Sequence, residues 1–121
     1  MDDERTSLEQ IVPAWLSQRD VADQLGVSPN KVRQLVREHD LAALRHGTAR
    51  EPEVPADLLL DGQVVKGLAG TLTLLDDAGY DEEESVRWLF TDDDSLPGTP
   101  LQALRENRGT EVRRRAQALA F

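Results

Sequence analysis

From Trp15 onward the apolar residues fall into short groups at helical spacing, each closed by a glycine, a proline or an acidic turn. Ser17 stands in an N-cap position with Asp20 three residues on, an approximate capping box. The pattern therefore predicts a helix over Gln18–Leu25, with Val21, Ala22 and Leu25 on one face and Gly26 as its stop. Ser28-Pro29 opens a second helix, turning Val32, Leu35 and Val36 inward and running to Glu38 or His39. The segment Leu41–Arg45 reads as a strand, His46-Gly47-Thr48-Ala49 as a turn, and Arg50–Val54 as the returning strand before Pro55. Beyond Pro55 the spacing is helical: one or two turns over Pro55–Leu60, ended by Asp61-Gly62, then Leu68–Ala78 with Leu68, Leu72 and Leu75 on one face. Asp81 opens a helix through Phe90, Thr99-Pro100 caps one to Asn107, and a last helix covers Thr110–Ala120. Trp88, with Leu75 and Leu104, is the expected anchor of this bundle.

Residues 1–14 are polar and acidic and read as a flexible tail; 15–60 form one unit and 61–121 a second, helical one. No Gly/Ser-rich spacer separates the two, so they are expected to share an interface. The 121 residues, 39% hydrophobic and 31% charged, have the balance of a folded chain. No apolar run is long enough to span a membrane, and the acidic start Met1-Asp2-Asp3-Glu4 is unlike a signal peptide, so no membrane association and a cytoplasmic location are expected. The absence of cysteine excludes disulfides and thiolate chemistry, and His39 and His46 alone make no metal site. No catalytic residue, metal or cofactor is expected.

The net charge of −9 argues against nucleic acid until its distribution is considered. Between Ser28 and Arg50, Lys31, Arg33, Arg37, Arg45 and Arg50 outnumber Glu38 and Asp40. Between Asp76 and Asp94, nine acidic residues face Arg87 alone. A basic stripe therefore sits beside an acidic block.

The basic stripe begins inside a constellation with steric meaning. Two helices crossing around a tight turn need a small residue at the crossing (Ala22), a residue tolerant of positive φ at the turn (Gly26), and apolar locks (Val21, Leu25, Val27, Val32, Leu35). That leaves Asn30, Lys31, Arg33, Gln34 and Arg37 outward, all hydrogen-bond donors suited to base edges and phosphates. Ser28, Arg45, His46 and Arg50 complete the candidate DNA-binding set, the last three on the wing.

Gln18–Arg37 resembles the helix-turn-helix of winged-helix DNA-binding proteins, the excisionase and MerR-like group in particular. Gly62–Leu68, Asp77–Tyr80, Arg87–Thr91 and Val112–Ala118 extend the likeness to a family of small actinobacterial regulators that join a winged helix-turn-helix to a helical C-terminal domain. The resemblance implies a mainly α fold, an N-terminal winged helix-turn-helix with a short two-stranded wing before a helical bundle, and sequence-specific binding of double-stranded DNA in transcriptional regulation. A rival reading comes from Arg87-Trp88-Leu89 and Thr99–Leu104, which are also similar to the toxin-binding helical domain of some antitoxins and imply a protein partner.

One helix-turn-helix reads few base pairs, so a homodimer is expected. Thr6 and Ser7, in the acidic N-terminal stretch, are candidate phosphorylation sites for a Ser/Thr kinase, through which a phosphate could compete with DNA for the basic surface. Arg113-Arg114-Arg115 suits contact with DNA or an acidic partner, or pairing with the Asp81–Glu84 block. Asp92-Asp93-Asp94 lacks the ligands of a calcium loop and reads as a turn.

Overall fold

The computed structural model describes residues 7–120. The expected flexible tail over 1–14 is corrected where it can be seen. Leu8–Ile11 form a short helix, α1, and Leu8 and Val12 are buried in the core. Leu8, Ile11 and Val12 recur at i, i+3 and i+4, so a segment polar on average carries an apolar stripe, and burying that stripe outweighs the polarity of the rest. Thr6 and the acidic start lie outside the described residues.

Trp15–Leu16 (β1) pairs antiparallel with Val54–Pro55 (β2), in the register Trp15 with Pro55 and Leu16 with Val54. Between these strands lie the two predicted helices. The hydroxyl of Ser17 accepts from the Asp20 amide at 3.0 Å and starts α2 (Gln18–Leu25), which ends at Gly26 with φ 71°. The hydroxyl of Ser28 accepts from the Lys31 amide at 3.1 Å and starts α3 (Pro29–Arg37). Val21, Ala22 and Val32 are the buried contacts of this pair, with Leu25, Leu35 and Val36 half-buried around them. Val27, expected among the locks, is 36% exposed, because the left-handed residue before it turns its side chain outward.

The wing is less regular than expected. Leu41–Ala43 are buried and enter the core instead of forming a strand. Only Leu44 and Glu53 pair, through two 2.8 Å backbone hydrogen bonds, and they close the loop that carries Arg45 to Pro52. Buried positions at 41, 42 and 43 in succession do not alternate as a half-exposed strand must.

Pro55–Leu60 also departs from the helical expectation. A single 3₁₀ turn over Ala56–Leu58 leads into Leu59–Leu60 (β3), which pairs with Gln63–Val64 (β4). Asp61 (φ 54°) and Gly62 (φ 77°) both take positive φ, the demand of a two-residue hairpin turn, so Asp61-Gly62 ends no helix but reverses a strand.

The remaining helices are α4 (Leu68–Asp77), α5 (Glu82–Leu89), α6 (Pro100–Arg105) and α7 (Gly109–Ala118). Helix α7 packs on α4 and α6, and α5 packs on both of those as well. Their core is Leu68, Leu72, Leu75, Val86, Leu89, Leu101, Leu104, Val112 and Ala116. Trp88 is only partly buried at its margin, while its neighbour Leu89 is fully buried and takes the anchoring place. The two halves share one apolar cluster, and Arg105 stitches them by donating to the carbonyls of Asp57 (2.7 Å) and Leu59 (2.8 Å). Arg115 bonds the Ser95 hydroxyl and carbonyl and the Glu111 carbonyl, not the Asp81–Glu84 block. No helix among the described residues is long and apolar enough to cross a membrane.

Candidate nucleic-acid interface

Helix α3 presents two unlike faces. Val32 is buried against α2, and Leu35 and Val36 line the inner edge. Asn30, Lys31, Arg33 and Arg37 are exposed, and Gln34 is half-exposed. Among the described residues, these side chains make no ion pair. The guanidinium of Arg33 donates to Oδ1 of Asn30, which steers it along the helix surface, and the Gln34 amide donates to Glu38 at 3.2 Å. Ser28 has its hydroxyl engaged as the cap and its carbonyl accepting from the Val32 amide at 3.2 Å, so it shapes the helix start. A helix locked from behind with a row of donors on its outer face matches the demands of major-groove entry.

The wing residues separate. Arg45 and Arg50 are exposed, with no hydrogen bond or ion pair among the described residues. His46 is placed elsewhere: its ring stacks on Trp15 (centroids 3.7 Å apart, planes within 16°) and its side chain is 13% exposed. Nδ1 lies 3.1 Å from a Glu9 carboxylate oxygen and Nε2 2.7 Å from Glu53. The structure thus takes His46 out of the outward-facing set and makes it a pin between α1, β1 and the wing. The Glu9 carboxyl is held below its ordinary range, first by its own backbone amide and then by His46. The indole N–H of Trp15 is buried without a partner among the described residues. His39 takes positive φ (62°) just past α3, and its Nε2 lies 3.7 Å from Asp76.

A groove of about 310 Å³ runs between α3 and the root of the wing, lined by Gln18, Arg33, Val36, Arg37, Ala43, Pro52 and Glu82. Gln18 ties the start of α2 to the wing by donating to the Pro52 carbonyl at 3.0 Å. Glu82 enters from α5, and the Ala43 amide donates to its carboxylate at 2.9 Å. Burial raises the Glu82 carboxyl above its usual range, against the opposing effects of the Ala43 amide and His39. The sequence reading missed Glu9, Gln18, Glu53 and Glu82. Glu9, Gln18 and Glu82 act through partners distant in sequence, and Glu53 meets His46 across the wing loop, so no helical or strand spacing marks them. Among the described residues, no three His, Asp or Glu side chains gather as a metal site.

The comparisons with known proteins agree with this geometry. Residues 5–59 match the family model of the winged helix-turn-helix domain of the DNA-binding protein Rv2175c, and residues 65–120 match its C-terminal domain of unknown function. A relative, the DNA-binding protein Rv2175c of Mycobacterium tuberculosis, is 44% identical over 114 residues, spanning 84% of this chain and 77% of the relative. The NMR structure of Rv2175c superposes with a TM-score of 0.80 at 38% identity, covering 99% of this chain and 87% of that one.

Proposed function

The chain belongs to the Rv2175c family of winged helix-turn-helix proteins, and on that premise we propose that it binds double-stranded DNA sequence-specifically, as a cytoplasmic transcriptional regulator. The observation that carries this is α3, where Asn30, Lys31, Arg33 and Arg37 are exposed with no carboxylate partner among the described residues while the apolar face locks onto α2. Arg33, Gln34 and Asn30 read base edges in the major groove. Lys31, Arg37, Arg45 and Arg50 hold backbone phosphate, and the Ser28 turn sets the approach of the helix. The role is binding rather than catalysis, with no cofactor.

Two such helices, one from each protomer of a homodimer, read half-sites about one helical turn apart. A Ser/Thr kinase acting at Thr6 or Ser7 adds a charge of about −1.5 to −2 just ahead of α1, whose Glu9 already touches the wing histidine, and this weakens the approach of DNA.

The test is a titration of genomic and random duplex DNA at two salt concentrations. Tighter binding to particular genomic fragments, lost in the R33A/Q34A double variant with folding intact, supports the reading. Equal affinity for all sequences makes the protein a non-specific DNA binder. No affinity for any duplex, with retention of a partner protein instead, returns the C-terminal helices as the working surface.

A further inference from the structure

Glu82 brings a carboxylate from the C-terminal helices onto the basic face of the N-terminal ones. It is held there by the Ala43 amide at 2.9 Å, at the wing root, and lines the same groove as Arg33 and Arg37. The other acids of its helical turn are engaged within α5: Asp81 and Glu84 form a reciprocal capping box, and Glu83 pairs with Arg87 at 2.9 Å. Glu82 alone in that turn reaches across to the other half of the molecule. Glu82 shares the groove with Arg33 and Arg37 beyond ion-pair distance of either, and a negative charge there opposes any phosphate those arginines would hold, most strongly where water is partly excluded.

We propose that Glu82 is an electrostatic brake on DNA binding, through which the C-terminal domain sets how strongly Arg33 and Arg37 hold backbone phosphate. The proposal rests on the DNA-binding reading above. Phosphate contacts supply affinity without sequence information, so the brake acts on all duplexes about equally and leaves the order of preferred sequences unchanged. Burial of the carboxyl supports this placement, since a group drawn into the junction is poorly screened by salt.

The test compares the whole protein with its E82Q variant. Glutamine keeps an oxygen to accept from the Ala43 amide and removes only the charge. The expected result is binding roughly three- to tenfold tighter on every duplex, a gain that rising salt narrows only weakly. The Ala43 amide resonance, still shifted by its hydrogen bond, shows that the fold is retained. D94N makes the same change in net charge at an exposed site away from the groove and should move affinity less than twofold. Unchanged or weaker binding by a folded E82Q, or an equal gain in D94N, overturns the proposal while leaving the DNA reading in place. If R33A/R37A binds every duplex as tightly as the wild type, the DNA reading itself falls, and the brake with it.

Discussion

Helices α3 and α5 are nearly equal in length, nine residues and eight, and begin alike, with a short polar side chain accepting from the amide three residues on. They differ in what becomes of their charges. In α5, Asp81, Glu82, Glu83 and Glu84 all have partners inside the protein, and Ser85, Val86 and Leu89 are buried. In α3, Val32 is the fully buried residue, and Lys31, Arg33 and Arg37 face water without a carboxylate within ion-pair distance among the described residues. Apart from Glu82, a charge answered internally serves the fold, and one left free is available to a ligand. The same local grammar therefore builds one helix for packing and one for contact.

The most forceful way to break this contrast is to cut into α5. Leu89→Ala should cost about 2–5 kcal/mol in urea unfolding, because Leu89 is fully buried and the neighbouring bundle cannot collapse around the loss. Trp88→Ala, at the half-buried margin, should cost less. The reverse order would return the anchoring role to Trp88.

On α3 the expected loss is in affinity and not in stability. Arg33→Ala should weaken binding to a preferred duplex by about 1–3 kcal/mol while its unfolding midpoint stays within about 0.5 kcal/mol of wild type. A large loss of stability would show that Arg33 serves the fold as the α5 charges do.

The caps test the feature the two helices share. Asp81→Ala and Ser28→Ala should each cost about 1 kcal/mol of stability by thermal unfolding, but only the α3 cap should also disturb DNA affinity. The wing extends the same distinction to one short loop. Arg45→Ala and Arg50→Ala should each reduce the slope of log K against log salt by about 0.9, whatever the sequence of the duplex. His46→Ala should instead loosen α1 from the wing, seen as faster amide exchange at Glu9.

The smallest effect is a pH dependence at the junction. Glu82 has its carboxyl raised by burial, so the folded state binds that proton more tightly than the unfolded chain does. Its contribution favours folding below the ordinary carboxylate range and fades as pH rises through the raised value. E82Q should therefore gain stability over wild type at neutral pH and not at pH 4. An equal difference at both pH values would show that desolvation at this site has no energetic consequence.

Much of this architecture was legible along the chain because its signals are local. Ser17, Ser28, Asp81 and Thr99 each cap a helix within three residues of themselves, and Gly26 turns the chain within one. The outward row on α3 follows from helical periodicity alone. The segment before Pro13 shows how composition misleads where periodicity does not: its apolar stripe was present in the residues but was averaged away by its acids. Asp61-Gly62 shows the complementary case, since the same residues that can stop a helix also reverse a strand.

Most helix starts and stops, and the side of α3 that carries donors, follow from the chain alone, because those outcomes depend on contacts a few residues apart. The partners of β1, of His46 and of Glu82 come from the packed fold. Trp15 meets Pro55 across the sheet, His46 is pinned by a glutamate 37 residues away, and Glu82 finds its amide 39 residues away. Such pairs form when burial of the shared core brings distant segments together, and a carboxylate's choice among many amides and cations is then set by which of them the packed backbone leaves within 3 Å.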